Sequence, residues 1–316
     1  MPVITTQSRI VITGAAGLVG QNLLLLLRER GYRNVLAIDR QQENLSIAAQ
    51  LNPDLETLCV DLAEAGAWQQ AFAGADAIIQ LHAQITAVHD ETFERNNIAA
   101  TQHVLAACRQ NQVPYLLHVS SSVLHSQADD AYTRTKRAQE KLVQQSGIAH
   151  CILRPTLMFG WFDPKHFGWL SRFMERTPIF PIPGDGKFLR QPLYNRDFCR
   201  VILACLEGGR AGVAYDIVGK EDVDYIAIVK AIKETKALRT MIVRIPFSFF
   251  DVLLQLAAKI MKRPPFTSAQ LHALAAGDYF TGVDIEQEFS VKPTPFLQAI
   301  KETFTHPIYS KVVVKR

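Results

Sequence analysis

The sequence has few cysteines and lacks a long uninterrupted apolar run. Its five cysteines are scattered through 316 residues and form no Cys-x-x-Cys pair, so neither a disulfide framework nor a zinc site is indicated. Unpaired cysteines suit a reducing compartment, and we expect a cytoplasmic protein. No stretch reaches the roughly 20 apolar residues that span a bilayer, and the chain does not start with a basic segment followed by an apolar one. The sequence therefore predicts neither an integral membrane segment nor a secretory signal.

Neither sign of charge dominates the chain. The formal net charge is +4, and no dense basic stripe is present, so nucleic acid is not an expected partner. No pair among His82, His118 and His125 has metal-ligand spacing on one helix, and we expect no metal site. The composition, 48% apolar and 20% charged, is that of an ordinary globular chain.

Short apolar runs alternate with helical patterns over the first half of the chain. The runs are continuously apolar, as expected for parallel strands that helices cover on both faces. After Arg154-Pro155, loops rich in glycine, proline and aromatic residues alternate with further helices. We expect an α/β fold with a Rossmann-type, doubly wound parallel sheet over residues 1–155, joined by returning segments from the second half. A smaller, interleaved substrate-binding region is expected over residues 156–316.

A glycine-rich turn follows the first predicted strand. It reads Thr13-Gly14-Ala15-Ala16-Gly17-Leu18-Val19-Gly20, and a leucine-rich helical pattern comes directly after it. The first glycine permits a tight turn, the second lets the backbone approach a pyrophosphate, and the third lets the helix pack close to the strand. The helix N-terminus would present N–H groups and a partial positive charge to the anion.

An acidic residue ends the second predicted strand. Asp39 stands about where a dinucleotide fold places the carboxylate that binds the adenosine ribose. A carboxylate there repels a 2′-phosphate and favours NAD, whereas the adjacent Arg40 could neutralise such a phosphate. NAD is the expected cofactor, and NADP stays open.

A serine, a tyrosine and a lysine follow the fifth predicted strand. Ser120-Ser121-Ser122 closes that strand, and Tyr132 and Lys136 stand four residues apart, on one face of a predicted helix. An ammonium beside a phenol lowers the pKa of the phenol, so the tyrosine can exchange a proton with a substrate hydroxyl near neutral pH. The serine would hold the same oxygen. Ser121 is favoured for this role, and Ser122 stays open.

With these motifs the chain resembles the extended short-chain dehydrogenase/reductase family, in particular its NAD-dependent epimerase/dehydratase branch. The resemblance covers nearly the whole chain and implies a Rossmann-type domain, bound NAD and a transient keto intermediate. It places Ser121, Tyr132 and Lys136 at the catalytic positions. For the substrate it implies Gln84, Ser122 and Arg190, the last as the arginine that binds a nucleotide-sugar diphosphate. For the cofactor it implies Gly14, Ala16, Gly17, Leu18, Val19, Asp39, Arg40, Asp61, Leu62, Leu81, His82, Ala83, Asn97, Tyr132, Lys136 and Pro155.

Two departures from the family pattern bear on the substrate. The segment between the serine and the tyrosine, which includes residues 127–130, is shorter than usual, and this either trims or opens the substrate pocket. Ser122-Val123 replaces the Asp-Glu pair of the sugar-nucleotide dehydratases. No acid/base pair is then available to eliminate water, and we discount dehydration.

The resemblance leads to one preferred function and two alternatives. The preferred hypothesis is an NAD-dependent nucleotide-sugar epimerase of the UDP-hexose type, expected as a homodimer. The first alternative is an NAD(P)-dependent dehydrogenase or reductase of a hydrophobic, steroid- or lipid-like alcohol. It is motivated by the short segment and by the Phe- and Leu-rich residues 247–256, which Lys259, Lys262 and Arg263 follow. We expect residues 247–256 to form a core helix or a dimer contact rather than a membrane-surface segment. The second alternative, a non-catalytic nucleotide-binding protein, is disfavoured by the complete Ser/Tyr/Lys set.

Overall fold

The computed structural model describes residues 3–126, 130–260, 267–276 and 279–315. Its strands are β1 (Ile10–Thr13), β2 (Val35–Asp39), β3 (Glu56–Cys59), β4 (Ala77–Gln80), β5 (Tyr115–Val119), β6 (Ala149–Pro155), β7 (Met158–Phe159), β8 (Ile179–Pro183), β9 (Leu189–Arg190), β10 (Leu193–Tyr194), β11 (Val213–Ile217), β12 (Val223–Asp224) and β13 (Met241–Ile245). Its α-helices are α1 (Leu18–Glu29), α2 (Gln42–Leu51), α3 (Asp90–Phe93), α4 (Ala100–Gln110), α5 (Ala131–Gln144), α6 (Phe167–Arg176), α7 (Asn195–Glu207), α8 (Tyr225–Thr235), α9 (Phe247–Ile260), α10 (Ser268–Ala276), α11 (Ile285–Phe289) and α12 (Phe296–Thr305). Short 3-10 helices span Ala67–Phe72, Ser122–His125 and Tyr309–Lys311.

One sheet of seven strands, in the order β3-β2-β1-β4-β5-β6-β11, organises the first half of the chain. Every neighbouring pair in it is parallel. The strand order reverses between β1 and β4, and such a reversal opens a ligand crevice at the carboxyl ends of the strands. The predicted Rossmann-type parallel sheet is confirmed.

Helices cover both faces of this sheet because successive strand residues point to opposite sides. Ile10 and Ile12 of β1 belong to a core that includes apolar side chains of α1 and α7. Val11, which lies between them, belongs to a second core with side chains of α4 and α5. Burial on both sides explains why Ile10, Val11 and Ile12 are apolar at successive positions.

Two predicted helices take a different form in the structure. The sequence pattern predicts one helix over residues 91–110 and another over residues 65–72. The first region instead forms α3, a π-helix (Glu94–Ala99) and α4, and the second contains a 3-10 helix. The fully buried Asn97 lies in the π-helix, where its Oδ1 accepts the backbone N–H of Gln84 at 2.6 Å and its Nδ2 donates to Thr135 Oγ1 at 3.0 Å. These contacts connect the segment after β4 to α5, and they give a physical reason for the local widening of the helix.

The second half of the chain builds its own apolar cluster. Side chains of α6, α8 and α12 surround Phe159 and Phe180, and β8 and β13 form a separate parallel pair. The pattern rich in glycine and aromatic residues predicts a loop over residues 159–167. In the structure, aromatic packing anchors the part of this loop around Trp161. Trp161 is 3% exposed, and its ring centroid lies 4.6 Å from that of Tyr309.

Strand β11 returns from this second half to the edge of the main sheet, beside β6. The sequence analysis did not locate it because Tyr215 and Asp216 interrupt its apolar pattern. The division of the chain at residue 155 stays a prediction.

The turn between β1 and α1 requires glycine at two positions. Gly14 has a φ of +72°, and a Cβ there would lie 2.5 Å from the backbone nitrogen of His82. A Cβ on Gly20 would lie 2.3 Å from the carbonyl oxygen of Ala15. The first glycine therefore lets the turn pass against the chain that leaves β4, and the last lets α1 pack onto the turn.

We expect Gly14→Ala to lower the free energy of unfolding by about 3 kcal/mol. A left-handed backbone costs a non-glycine residue about 1–2 kcal/mol, and the collision with His82 adds an overpacking cost of about 1–3 kcal/mol. Gly74→Ala is the matched control, because Gly74 has a φ of +70° and no atom lies within 4 Å of its added Cβ. Urea unfolding measures both variants. Equal losses would contradict the close approach of Gly14 to His82.

Candidate active site

Three polar segments follow β1, β4 and β5 at one edge of the sheet. They are the glycine-rich turn, residues 81–84 and residues 120–122. The Leu81 N–H donates to the carbonyl of Thr13 at 2.9 Å, which extends the pairing of β1 with β4. Ala83 is exposed, and Pro155 pairs with Ile217 where β6 and β11 end. The predicted cofactor residues after β1 and β4 thus lie beside one another.

The glycine-rich turn leads into a helix N-terminus without a side-chain cap. Gly17 is the N-cap residue of α1, so the first N–H groups of the helix are left for another acceptor. The Asp39 carboxylate accepts the backbone N–H groups of Ala16 and of Gln41, each at 3.0 Å. Burial raises the pKa of Asp39, and these hydrogen bonds oppose the rise. A half-buried carboxylate next to an uncapped helix N-terminus fits the ribose and pyrophosphate of a dinucleotide.

Other predicted cofactor residues lie beside the ends of β2 and β3. Arg40 donates from Nη2 to Oε1 of Gln84 at 3.0 Å and so connects the ends of β2 and β4. Asp61 accepts a backbone N–H at 3.0 Å and Nη1 of Arg95 at 2.9 Å. Burial opposes the ionisation of Asp61, but these hydrogen bonds hold its pKa below the usual value. Leu62 is buried beside it, and Arg95 is a partner that the sequence analysis did not identify.

The hydroxyl of Ser121 lies close enough to the phenol of Tyr132 to act on its pKa, in the direction that lowers it. Ser121 follows β5, and Tyr132 lies in the first turn of α5, which Asp130 caps by accepting the Thr133 N–H at 2.8 Å. Ser122 begins the next 3-10 helix. The geometry therefore pairs the tyrosine with Ser121. Residues 127–129 of the shortened segment lie outside the described residues.

The pKa of Tyr132 is raised, which is opposite to the direction expected from the sequence. Burial is the largest cause, the hydrogen bond with Ser121 opposes it, and the charge of Asp130 adds to it. The ammonium of Lys136, one turn along α5, donates to the carbonyl of Val119 at 3.0 Å and to Oε1 of Gln139 at 2.8 Å. The phenol is therefore protonated at neutral pH.

Lys136 is buried in a network of uncharged polar side chains. Its side chain is enclosed, with the residue 1% exposed, and burial lowers its pKa to about 7 although the charge of Glu140 opposes this. Oε1 of Gln139 accepts a hydrogen bond from the ammonium, so the amide nitrogen Nε2 of Gln139 points the other way. It donates to Thr101 Oγ1 at 2.8 Å. Nε2 of Gln80 donates to the same oxygen at 2.7 Å. The network connects α5 to α4 and β4.

His82 extends this network to the glycine-rich turn. Its Nδ1 lies 2.9 Å from Thr13 Oγ1, and its Nε2 lies 3.4 Å from Thr101 Oγ1. Two amide groups donate to Thr101, so its hydroxyl proton is assigned toward Nε2, and the neutral ring donates from Nδ1 to Thr13. Burial and, secondly, the charge of Lys136 lower the pKa of His82 to about 3, which agrees with a neutral ring.

Arg190, a predicted substrate residue, forms hydrogen bonds within the protein. It lies on β9, and its guanidinium donates to the carbonyl of Leu189 at 3.1 Å and to the carbonyl of Leu274 in α10. Gln84, in contrast, lies with the cofactor residues, where Asn97 binds its backbone and Arg40 binds its side chain. The structure therefore brings together the predicted groups of the first half, and it holds Arg190 against α10.

Comparisons with known proteins agree with this geometry. A family model described as the NAD dependent epimerase/dehydratase family matches residues 10–218. The chain belongs to this family. It is therefore an NAD-dependent enzyme of the extended short-chain dehydrogenase/reductase type.

Among sequence relatives, a 4-hydroxy-2-methyl-3-oxo-4-farnesyl-3,4-dihydroquinoline-1-oxide ketoreductase of Stigmatella aurantiaca is 25% identical and covers 88% of this chain and 87% of the relative. A 3 beta-hydroxysteroid dehydrogenase/Delta 5-->4-isomerase of Mycobacterium tuberculosis is 30% identical and covers 73% and 70%. Among solved structures, a dTDP-glucose 4,6-dehydratase of Streptomyces venezuelae with NAD bound superposes with a TM-score of 0.74 at 20% identity, over 93% of this chain and 95% of that chain. At that identity the last similarity concerns the fold.

Two kinds of feature are absent from the part of the chain that the structure describes. No group of three or more His, Cys, Asp or Glu side chains within residues 3–126, 130–260, 267–276 and 279–315 could hold a metal ion. In the same ranges no helix is both long and apolar enough to cross a bilayer.

A chain of ion pairs, which the sequence analysis did not predict, runs from α5 to the surface. Glu140 pairs with Arg154, and Arg154 also contacts Asp216 at 3.4 Å. The other oxygen of Asp216 lies 2.7 Å from Nε2 of His125. Glu140 follows Lys136 by four residues, which was a usable signal for a shared helix face. The partner Asp216 could not be found without locating β11.

We expect Gln139→Leu to lower kcat about tenfold or more, because the ammonium of Lys136 and the hydroxyl of Thr101 each lose a buried partner. A lysine that is no longer held shifts relative to Tyr132, and small displacements at a reacting centre are costly. Steady-state kinetics and urea unfolding are measured together, with the exposed Gln145→Leu as control. Unchanged kcat in a variant that has lost stability would show that the network serves the fold alone.

Proposed function

We propose that the enzyme interconverts a ketone and a secondary alcohol on a hydrophobic molecule with NAD(H). The observation that carries this proposal is the position of Arg190, whose guanidinium is held by the carbonyls of Leu189 and Leu274. An arginine held by α10 has to give up these carbonyls before it can bind a diphosphate. The segment after β4 instead exposes two apolar side chains, with Ile85 46% and Val88 89% exposed.

The two sequence relatives support the same substrate class. The name of one describes a ketoreductase of a farnesylated dihydroquinoline oxide, and the name of the other describes a hydroxysteroid dehydrogenase/isomerase. Both names refer to oxygen chemistry on largely apolar ring systems. The two relatives match 88% and 73% of this chain, so the similarity extends beyond the cofactor-binding half.

In the proposed reaction a ketone, NADH and a proton give a secondary alcohol and NAD. The cofactor, when bound, supplies hydride exchange with the carbinol carbon, and the residues predicted from the sequence hold it. Tyr132 donates a proton to the ketone oxygen in reduction and accepts it in oxidation. Ser121, whose hydroxyl lies near that phenol, positions the same oxygen, and Gln139 holds Lys136 one turn further along α5. Because the pKa of Tyr132 is raised, its phenol stays protonated and can donate that proton to the ketone oxygen during reduction.

A nucleotide-sugar epimerase of the UDP-hexose type is the second candidate. Arg190 is half-buried and donates to the carbonyls of Leu189 and Leu274. A diphosphate forms stronger, charge-assisted hydrogen bonds with a guanidinium and could compete for it. This function uses the same Ser121, Tyr132 and Lys136, and it differs in requiring Arg190 for the substrate.

The two candidates are separated by a substrate panel combined with Arg190→Ala. We expect NADH consumption with ketones of rising hydrophobicity, such as cyclohexanone, 2-decanone and a 3-ketosteroid, with kcat/KM rising along the series. Arg190→Ala should change these values less than about twofold, whereas Tyr132→Phe should lower them about 100-fold or more. Interconversion of UDP-glucose and UDP-galactose without net NADH consumption, abolished by Arg190→Ala, would instead establish the epimerase.

The raised pKa of Tyr132 predicts opposite pH profiles for the two directions. Oxidation needs the phenolate, whose fraction grows about tenfold per pH unit below the pKa, so kcat/KM for the alcohol should climb steadily from pH 7 to pH 9. Reduction needs the protonated phenol, so kcat/KM for the ketone should not rise over that range. Both profiles are recorded with the same substrate pair. An alcohol profile that levels off near pH 7 would mean that Tyr132 has a lowered pKa in catalysis.

A further inference from the structure

Helix α9 (Phe247–Ile260) exposes apolar side chains where the sequence predicts a core helix or a dimer contact. None of its described side chains is buried. Four residues form what we call the α9 stripe, namely Phe249 (58% exposed), Val252 (51%), Leu253 (40%) and Leu256 (49%). Their spacing of three and four residues places them on one face of the helix. Contiguous apolar surface of this kind marks an interaction site.

The opposite face of α9 is attached to α10. Asp251 accepts hydrogen bonds from Gln255 at 2.9 Å and from Ser268, and it lies 3.4 Å from Nε2 of His272. The ring of Phe247 lies 5.4 Å from the ring of His272, edge to face. The polar side of the helix therefore faces the protein, and the α9 stripe faces away from α10.

The strand that precedes α9 extends the apolar surface. Met241 of β13 pairs with Ile179 of β8, and these residues are 59% and 47% exposed. Val243, two residues further on the same face of β13, is 39% exposed. The buried members of β8, Phe180 and Ile182, point to the core of the second half. This half therefore exposes an apolar strand face in addition to the α9 stripe.

The charge around this surface is positive. Between positions 239 and 277 the basic residues are Arg239, Arg244, Lys259, Lys262 and Arg263, and the one acidic residue is Asp251, which faces α10. Lys259, in the last turn of α9, is exposed beside the stripe, and Arg239, two residues before Met241, is exposed as well. Lys262 and Arg263 lie outside the described residues and enter this count from the sequence alone.

We infer that the α9 stripe and the outer face of β13 dock on an anionic membrane surface. An exposed apolar helix face flanked by lysine and arginine suits the boundary between acyl chains and negative headgroups. A second copy suits it less, because a twofold contact through the same patch would bring these basic flanks together. Docking would give the cleft access to hydrophobic molecules held in the bilayer; that consequence rests on the proposed function, whereas the docking itself does not.

The test is co-sedimentation of the full chain with phosphatidylcholine vesicles, with or without 30% phosphatidylglycerol. We expect binding to the mixed vesicles at least tenfold tighter than to phosphatidylcholine alone, weakening as salt is added. Leu253→Glu/Leu256→Glu should lower this binding at least tenfold. Leu297→Glu, at a 68% exposed site on α12, is the matched control and should stay within twofold. Arg239→Glu/Lys259→Glu should remove the preference for the anionic lipid.

Absence of binding by the unchanged chain, or equal binding by the stripe variant, would overturn the inference. So would a dimer in gel filtration that Leu253→Glu/Leu256→Glu converts to monomer without any vesicle binding, since the occupant would then be a second copy. Reduction of a water-soluble ketone is measured in parallel and should be unaffected by the stripe variant. Vesicle binding without ketone reduction would defeat the proposed function alone, and ketone reduction without vesicle binding would defeat the docking alone.

Discussion

The arrangement of the active site depends on one buried ammonium. Lys136 reaches from α5 to the carbonyl of Val119 at the end of β5 and is held on its other side by Gln139. Burial of a cation is unfavourable unless its hydrogen bonds are made, so these two acceptors also fix where α5 sits on the sheet. The position of α5 in turn brings Tyr132 close to Ser121. The network through Thr101 and His82 connects the same lysine to the glycine-rich turn.

The parts of this structure that could be predicted from the sequence are those fixed by local patterns. Short apolar runs predict the alternation of strands and helices in the first half, and the spacing of Gly14, Gly17 and Gly20 locates the turn that the backbone geometry requires. The four-residue spacing of Tyr132 and Lys136 placed both on one face of α5. These features follow from the periods of helices and strands and from the sterics of glycine, which neighbouring residues alone determine.

The parts that could not be predicted depend on contacts between distant elements. Gln139 and Gln80 meet at Thr101 only because α5, β4 and α4 are packed together, and the raised pKa of Tyr132 follows from the burial that this packing produces. Arg190 is held by Leu274, 84 residues away. The apolar composition of residues 247–256 fits a buried helix as well as an exposed one, because composition does not state which face has a partner.

The features that distinguish the two candidate functions lie on the substrate side of the cleft. A family member with the complete serine, tyrosine and lysine set can act as an epimerase or as a net oxidoreductase, and the difference lies in what the second half of the chain offers to a substrate. Here α10 holds the arginine that would bind a diphosphate, and the surface beside α10 is apolar and basic. Both features favour a hydrophobic substrate that exchanges its hydrogen with a cofactor that leaves after each turnover.

Isotope transfer tests this claim most directly. NADH carrying deuterium at the transferred position is incubated with the protein and a hydrophobic ketone, and the released alcohol is analysed by mass spectrometry. The account predicts one deuterium at the carbinol carbon of the alcohol, in amounts equal to the NADH consumed, and none with Tyr132→Phe. Released product without deuterium, together with a UDP-hexose interconverted while the label stays with the protein, would contradict it.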